Sequence, residues 1–518
     1  MASQLQDKIK YARFTRRDVI KFGAASLALA GCSRLAGTNQ IANRPWPSNP
    51  DSDLVAPIAA GGEANPPSSP VAWLAANRLM FGPREGDLGH IDKIGIDAFV
   101  EEQLGLDEYA DEGVEVKGRL AGLDVMSLSA AGLFDKYDKM RGPIVQQLAT
   151  MATMRAIYSK RQLYEVMVDF WTNHFNIFAL KDRTTFLKPV DDREVIRPHA
   201  LGNFRDLLGA SMHSPAMLFY LDNQANRKGQ PDENYARELL ELHTLGVNGG
   251  YAESDVHELA RALSGWGMTG LGGATMLQAA GEFKFNANQH DDGAKVILGV
   301  SFPSKGGVKD IEQMLDILAN HPSTAKFIAT KLARRFISDD PPASAIMKGA
   351  DAFTKSRGDI KTTVGAVLHG MEFQSSFGHK LKRPLEYIAS IARALDADVT
   401  WSDQLGNAFR QMGQPLFLWA PPNGFPDFNN AWIESSSLLA RWNFALGVSA
   451  GTFKGFGFDA KKLPALVNRS GIDSLSRHLL NADLPAVVKE KLMPFAGESQ
   501  VSLLIGLMLA SPLYQVRG

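Results

Sequence analysis

The chain has 518 residues, and its 55 Lys and Arg residues nearly balance its 56 Asp and Glu residues. A formal net charge of −1 gives no basic footprint for nucleic acid, so we expect no nucleic-acid partner. Hydrophobic residues make up 45% of the chain, which suits a large globular core, and the single cysteine excludes an internal disulfide and a thiolate cluster.

The first 32 residues have the pattern of an export signal. Basic residues precede a short apolar run, Phe22 to Ala30, which is far below the roughly 20 residues needed to span a bilayer. Arg16 and Arg17 resemble the twin-arginine export signal. The Leu-Ala-Gly-Cys sequence that ends at Cys32 resembles a bacterial lipobox, in which the cysteine is lipidated. The alternative is an ordinary signal peptide with a chance cysteine.

This pattern predicts three segments. Residues 1–32 would be a twin-arginine signal with a lipobox, and residues 33–70, rich in Pro, Gly, Ser and Asn, a disordered tether. Residues 71–518 would form a helical catalytic or binding domain of two tightly packed lobes. We expect a lipid anchor on Cys32 to hold the protein in the periplasm or at the outer membrane or cell surface.

Helical periodicity dominates the rest of the chain, so we predict a mainly α fold, a large multi-helix globular domain. The predicted helical segments are Ile144–Phe178, Asn234–Val247, a helix from Ser254 or Asp255 through Trp266, Lys309–Ala319, Ser323–Ile337, Ala343–Ser356, Pro384–Asp396, Ser435–Leu446 and Val501–Ala510. Two strand signals, Glu282–Asn286 and Lys295–Leu298, predict a small β-hairpin near residues 282–298.

The first candidate functional segment is Asp169–Phe175. It lies in a run that is apolar nearly all round, so the helix should be buried. Asp169 and Asn173 are four residues apart and share a helix face, with His174 beside them. Buried groups of this kind must be hydrogen-bonded or coordinated, either in a structural polar network or in a functional site.

The second candidate segment is the helix Glu233–His243. Its Glu233, Arg237 and Glu241 are spaced for ion pairs on a solvated face. Alternatively, Glu238 and Glu241 are the kind of carboxylate pair that holds a metal ion together with a histidine from another helix, or serves as acid and base around a sugar. The loop Asn288–Gly293 groups His290 with two carboxylates, either as a polar turn or as a segment that binds an ion or lines a cleft.

Several longer motifs together resemble the bacterial domain-of-unknown-function 1800 family, over roughly Trp73 to the C-terminus. The stretches that carry this resemblance are Asp169–Phe175, Arg197–Asn223, Glu233–Tyr251, Asp255–Trp266, His290-Asp291 with Lys295 and Gly299, and His321-Pro322. The resemblance implies an exported bacterial protein, often encoded beside a second exported family that resembles sulfatases and phosphatases. Its motif positions are Trp171, Asn173, His174, Glu233, Asn234, Arg237, Glu238, Glu241, His243, Trp266, His290 and Asp291.

The sequence leaves three functions open. The first is a hydrolase or related enzyme that acts on an extracellular polymer such as a polysaccharide, with Glu238, Glu241 and His174 as catalytic residues or as ligands of a divalent metal ion. Its substrate-binding residues would be Trp171, Asn173, Asn234, Arg237, Trp266, His290 and Asp291. The alternatives are a non-catalytic cell-surface protein that binds or assembles a polymer or the exported partner, and a His/carboxylate redox metalloprotein.

Overall fold

The computed structural model describes residues 70–106, 113–269, 281–459, 471–496 and 500–518. The predicted signal, the predicted lipidation site Cys32 and residues 33–69 of the predicted tether lie outside these residues, whereas Pro70 begins a helix. Helices dominate the described part, which confirms the mainly α prediction. Its buried apolar residues, from Ala72 to Tyr514, form one contiguous core cluster. The division into two lobes stays a prediction.

The α-helices in the N-terminal half are α1 (Pro70–Arg78), α2 (Asp87–Ile94), α3 (Ile96–Gly105), α4 (Val114–Leu120), α5 (Ala130–Tyr137), α6 (Gly142–Tyr158), α7 (Gln162–His174), α8 (Thr184–Asp191), α9 (Arg197–His199), α10 (Phe204–His213), α11 (Pro215–Tyr220), α12 (Asn234–Glu238) and α13 (Glu253–Leu263). Two π-helical segments follow α8 and α12 directly, at Asp192–Ile196 and Leu239–Thr244.

The α-helices in the C-terminal half are α14 (Val308–Ala319), α15 (Pro322–Phe336), α16 (Ala343–Lys355), α17 (Ile360–Leu368), α18 (Met371–Gln374), α19 (Pro384–Ala394), α20 (Asp403–Gln411), α21 (Ser435–Ser449), α22 (Gly471–Leu480), α23 (Ala486–Leu492), α24 (Val501–Ala510) and α25 (Pro512–Gln515). Short 3₁₀ segments lie at Asp124–Met126, Asn223–Ala225, Asn429–Trp432 and Met493–Phe495.

The strands form small two-stranded antiparallel sheets, as the sequence predicts, but the predicted pairing is wrong. Strand β2 (Phe283–Phe285) pairs with β1 (Trp266–Met268), and β3 (Lys295–Ile297) pairs with β4 (Val300–Phe302). A third pair joins β5 (Asp398–Val399) to β6 (Phe456–Gly457). Trp266 therefore belongs to a strand and not to the preceding helix, because α13 ends at Leu263 and Gly265 turns the chain with a φ of +78°.

The predicted helix Asn234–Val247 is interrupted. Regular α-helix stops at Glu238, and the next turn is π-helical, with the Thr244 hydroxyl donating to the Leu239 carbonyl at 2.6 Å. A π-turn inserts an extra residue into the helical period, so side chains beyond Glu238 are rotated from the faces that a regular helix predicts. Such turns occur frequently at functional sites.

Candidate functional site

Helix α7 is buried along most of its length, as its apolar run predicts. Its last two turns carry Asp169, Asn173 and His174, and each of these side chains has partners from a different part of the chain. The end of this helix therefore joins three separate polar contacts.

Asp169 belongs to a buried cluster of charged groups. Its carboxylate accepts hydrogen bonds from Arg335 at 3.3 Å and from Arg383. Arg335 also pairs with Glu386 at 2.6 Å. Burial alone would raise the pKa of the Glu386 carboxyl, but Arg335 and Arg517 hold it well below its usual range. These groups form an ionic network inside the core, which is a structural role for Asp169.

The side chain of Asn173 binds the backbone of the loop at residues 415–428. Its Oδ1 accepts from the Phe425 N–H at 2.7 Å, and its Nδ2 donates to the Phe425 carbonyl at 2.9 Å. Asn176 adds bonds to the carbonyls of Trp419 and Pro421, at 3.0 and 2.8 Å. Both asparagines therefore fix the loop against the end of α7.

Gly424 allows the loop to lie close to the end of α7. Its φ is +73°, and a Cβ there would lie 2.2 Å from the Asn173 carbonyl oxygen. Only glycine fits so close to the helix end with this backbone conformation. The contact is between residues about 250 apart in sequence, so it could not be predicted from the local pattern.

His174 is 1% exposed and has a defined hydrogen-bond geometry. Its Nε2 lies 3.1 Å from the carbonyl oxygen of His243, which can only accept, so Nε2 carries the proton. Its Nδ1 is then an acceptor, and it lies 2.9 Å from the Nζ of Lys331. Burial, together with the positive charge of Lys331, holds the pKa of His174 well below its usual value.

His243 lies beside this pair and is also 1% exposed. Its ring centre is 6.1 Å from that of His174 and 5.1 Å from that of Phe175. Within the described part of the chain, neither of its ring nitrogens has a hydrogen-bond partner. Burial and the nearby Lys331 lower its pKa to about 3, so the ring is neutral at pH 7.

Glu238 and Glu241 flank the start of the π-helical turn, and both are partly exposed. Burial and the charge of Glu241 raise the pKa of Glu238 above its ordinary value. Burial and, to a lesser extent, the charge of Glu238 raise the pKa of the Tyr220 hydroxyl. Tyr220 donates in turn to the Ala420 carbonyl at 2.6 Å, which joins Tyr220 to the loop at residues 415–428.

The ion pairs predicted on this helix are present. Arg237 pairs with Glu233 at 3.4 Å and with Glu241 at 3.8 Å, and it makes a closer pair with Glu253 at 2.7 Å. Asn234 donates to the Leu221 carbonyl at 3.2 Å. The face is thus a solvated row of charges, with Glu238 set apart from it by its partial burial.

The predicted catalytic residues His174, Glu238 and Glu241 make different contacts. His174 reaches the second segment through the His243 carbonyl. Among the described residues, no hydrogen bond or ion pair joins His174 to Glu238 or Glu241. Their joint action at one site stays a prediction.

The predicted substrate-binding residues fall into three separate groups: Trp171 with Asn173 on α7, Asn234 with Arg237 on α12, and Trp266, His290 and Asp291 around β1. Trp171 is fully buried, and its Nε1 donates to the Ala200 carbonyl at 2.9 Å. Trp266 packs against Phe283, with 4.9 Å between the centres of the two rings.

The loop around His290, for which a polar turn and a ligand-binding role were both open, is tied to the residues that follow α13. His290 bonds the Ser264 carbonyl through Nδ1 at 2.8 Å. Asp291 is paired through both oxygens with Arg261, at 3.0 and 3.1 Å, and this bonding lowers its pKa to about 2. These contacts favour the polar-turn interpretation.

In the residues that the structure describes, no group of three or more His, Cys, Asp and Glu side chains has an arrangement that could hold a metal ion. The predicted ligands His174, Glu238 and Glu241 form no such group. Over the same ranges, no helix has the length and apolar character needed to cross a lipid bilayer.

A cavity of about 60 Å³ lies on the Asp169–Asn173 side of α7. It is lined by Thr172, Asn176, Phe417, Phe425 and other residues of α7 and the loop. A separate groove of about 370 Å³ lies beyond Leu416, with Leu180, Trp401, Phe409 and Arg410 among its lining residues. Trp401 stacks on Phe409 at 6.2 Å with an interplanar angle of 10°.

The fold and these contacts define a mainly α-helical globular protein in which polar residues of two motif segments meet through buried histidines. The profile of the family described as protein of unknown function (DUF1800) matches residues 74–516. The chain belongs to this family, as its motifs predict. No curated protein and no solved structure gives a significant match.

Sequence reasoning did not find Lys331, Arg335, Arg383 or the loop at residues 415–428. Lys331 lies on α15, 157 residues from His174, in an ordinary amphipathic pattern. One local signal for the loop was available, since the Pro-Pro-Asn-Gly-Phe-Pro sequence at 421–426 is typical of an ordered turn.

Proposed function

We propose that this protein is an exported, lipid-anchored hydrolase that acts on an extracellular polymer such as a polysaccharide, with Glu238 and Glu241 as its acid and base. The observation that carries this proposal is the raised pKa of Glu238 beside Glu241, next to a π-helical turn. A pair of carboxylates in unequal environments is the arrangement that glycoside hydrolysis uses.

In this mechanism Glu238 acts as the general acid. Its partial burial and the neighbouring Glu241 favour the protonated carboxyl, which can donate a proton to the leaving oxygen of a scissile bond. The Glu241 carboxylate, held by Arg237 at 3.8 Å, acts on the other side of that bond as base or nucleophile. His174 is a positioning residue here, because its bond to the His243 carbonyl holds the π-helical turn against α7.

Two features near Glu238 suit a sugar polymer. The Tyr220 hydroxyl, whose pKa the charge of Glu238 helps to raise, donates to the loop at Ala420, next to the partly exposed Trp419. Farther along the same loop, Leu416 and Leu418 line the groove that contains Trp401 and Arg410. Apolar and aromatic surfaces with a few polar groups are typical of ligand sites, so one loop would join the acid–base pair to a polymer subsite.

The test is turnover of a panel of polysaccharides by the purified protein. Glu238→Gln and Glu241→Gln should each abolish turnover, because glutamine keeps the shape of the side chain and removes its proton chemistry. Glu253→Gln is the matched control, since Glu253 lies on the same charged face and pairs with Arg237. Turnover that persists in both test variants would exclude the role.

A non-catalytic binding or assembly function is the second candidate. It is favoured by the observation that the side chains of Trp171, Asn173 and His174 form hydrogen bonds with backbone groups or with Lys331. Under this function, His174→Ala and Glu238→Ala would lower stability and ligand binding together. Folded variants that lose a single activity would contradict it. Binding of the exported sulfatase-like or phosphatase-like partner is part of this second proposal.

A further inference from the structure

Lys331 has an unusual environment for a lysine that is partly withdrawn from water. Its Nζ donates to the neutral Nδ1 of His174 at 2.9 Å. Within the described ranges, no carboxylate forms an ion pair with it. The lysine itself is partly exposed, whereas His174 is 1% exposed, so solvent reaches the pair from the lysine side.

Other buried lysines of the protein show the contrast. Lys188 pairs with Asp191 at 2.6 Å, Lys295 with Asp310 at 2.9 Å, and Lys380 with Asp339 at 2.8 Å. Lys382 lies 3.9 Å from the centre of the Tyr514 ring. Lys331 differs from these in having an imidazole as its hydrogen-bond partner, and an imidazole is a group that can accept its proton.

Hydrogen bonds and packing fix the orientation of the His174 ring, so that Nδ1 can accept a proton from Lys331. Because Nε2 donates to the His243 carbonyl, Nδ1 keeps its lone pair and faces Lys331. The aromatic rings of Phe170, Trp171 and Phe175 pack around the imidazole at 4.6 to 6.3 Å, which limits its rotation. The His243 carbonyl therefore favours the tautomer of His174 that is protonated at Nε2, and the neighbouring aromatic rings hold the imidazole in this orientation.

His243 supplies an independent sign of a ligand. Its buried imidazole leaves both ring nitrogens without partners in the described part of the chain. An unmet buried hydrogen-bonding group costs about 1–3 kcal/mol. The ring is close enough to Lys331 for the lysine charge to lower its pKa. A bound molecule with a polar oxygen would satisfy this histidine next to the lysine.

We propose that Lys331, His174 and His243 form a binding site for a small aldehyde or ketone, whose carbonyl carbon condenses with the Lys331 amine to give an imine. The carbonyl oxygen would accept a hydrogen bond from His243, and Nδ1 of His174 would carry the proton. This site is distinct from the Glu238 and Glu241 pair and does not depend on hydrolysis.

The reaction balances without an oxidant or reductant. The amine lone pair attacks the carbonyl carbon, a C–N bond forms, and the π electrons move to oxygen. A proton passes from the new ammonium nitrogen through His174 Nδ1 to that oxygen and gives the carbinolamine. The C–O bond then breaks and water leaves with the second amine proton, so the products are one imine and one water.

The charges around Lys331 favour its neutral, nucleophilic form. Burial and, to a lesser extent, the neighbouring Arg334 lower its pKa to about 8, against the opposing effect of Asp427. His174 and His243 are neutral at pH 7 and add no positive charge. A larger share of Lys331 is therefore unprotonated at neutral pH than for an ordinary lysine.

The experiment traps the imine on the purified, intact protein. The protein is incubated at pH 7 with glyceraldehyde and cyanoborohydride, and peptide mass mapping measures the rate of reductive labelling at each lysine. We expect Lys331 to be labelled roughly ten times faster than Lys326, an exposed lysine on the same helix. Labelling of Lys331 at or below the rate of Lys326 would overturn the proposal.

Two variants test the separate roles of Lys331 and His174. Lys331→Arg should remove the fast adduct and leave labelling of Lys326 unchanged. His174→Gln should slow labelling of Lys331 several-fold at an unchanged Lys326 rate, because it removes the proton acceptor, and circular dichroism confirms the fold. If His174→Gln leaves the Lys331 rate unchanged, the histidine has no part in the reaction and the three-residue site is wrong. These rates are measured without a polysaccharide, so failure of the proposed hydrolase function would leave them unaffected.

Discussion

Arg78 and Arg517 bind each other's backbone. The Arg78 side chain donates to the Arg517 carbonyl, and the Arg517 side chain donates to the Arg78 carbonyl at 2.9 Å. Arg517 also donates to the carbonyls of Asn77 and Arg335, both at 3.0 Å. Helix α1, the end of α15 and the C-terminal residues are thus joined by two guanidinium groups that are almost fully buried.

We expect Arg517→Ala to lower the free energy of unfolding by about 3–5 kcal/mol, because three buried carbonyls and the nearby Glu386 lose their partner. Urea unfolding followed by circular dichroism measures the change. Arg477→Ala is the control, since its side chain is mostly exposed and pairs with Asp483 at the surface. Equal midpoints for the two variants would show that the buried network contributes little.

Gly424→Ala should release the loop at residues 415–428 from α7. The added Cβ would lie 2.2 Å from the Asn173 carbonyl oxygen, so either the loop or the helix end must move. Hydrogen exchange of the Phe425 amide, which donates to Asn173 Oδ1, should become faster. Gly413→Ala is the matched control: its φ is also positive, but no atom lies within 4 Å of its added Cβ. A similar exchange rate in both variants would mean that backbone strain, and not the close approach, is responsible.

The buried histidines should make the protein less stable as pH falls below about 6.5. His243 has a lowered pKa of about 3 in the folded state, so between these values the unfolded chain binds a proton that the folded chain does not. The stabilisation is complete above the unfolded pKa and decreases as pH drops. For His243 alone, the loss from pH 6.5 to pH 5 is about 2 kcal/mol.

His243→Phe isolates this effect, because phenylalanine fills a similar volume and does not titrate. Its free energy of unfolding should depend less on pH between 6.5 and 5 than that of the wild type. Parallel pH profiles for the two proteins would contradict the role of burial at His243.

Glu238→Gln should stabilise the protein slightly while it abolishes any hydrolysis. Replacing one carboxylate of the pair removes its repulsion with Glu241, which for like charges on neighbouring helical turns is worth about 0.5 kcal/mol. Thermal unfolding at pH 7, with Glu253→Gln as the control, measures the change. A destabilised Glu238→Gln variant would indicate that the carboxylate has a structural partner.

Trp401→Ala should weaken binding of the polymer and leave the fold intact, because the ring is partly exposed at the edge of the groove. An affinity gel that contains the polysaccharide measures the retardation. Trp432→Ala, which removes a buried ring, serves as a control for general loss of structure. Equal retardation of wild type and Trp401→Ala would exclude the groove as a subsite.

Most of the helical segments that the sequence predicted agree with an observed helix within a few residues, because their apolar period is local information. Val501–Ala510 agrees at both ends, and Lys309–Ala319 begins one residue late. The strand pairing failed, since the short β2 signal carries no information about its partner at Trp266. The π-turn after Glu238 has no sequence signal that we recognised.

The sequence likewise predicted only part of the candidate functional site. The buried helix around Asp169 and the charged row around Arg237 could be predicted from spacing alone. The partners of these residues could not, because Lys331 and Phe425 lie 157 and 252 residues from the side chains they bind. A local pattern shows which residues are polar and buried, whereas only the fold shows what satisfies them.

The mutual contact of Arg78 and Arg517 spans 439 residues, which has a consequence for the order of folding. Arg78 also donates to the carbonyls of Phe336, Ile337 and Ser376, at 2.8, 3.0 and 3.0 Å. Its guanidinium therefore binds carbonyls from several segments that are translated long after α1, and the core around it cannot close fully until Arg517 is available. Closure of this core depends on contacts of very high sequence separation, which form slowly.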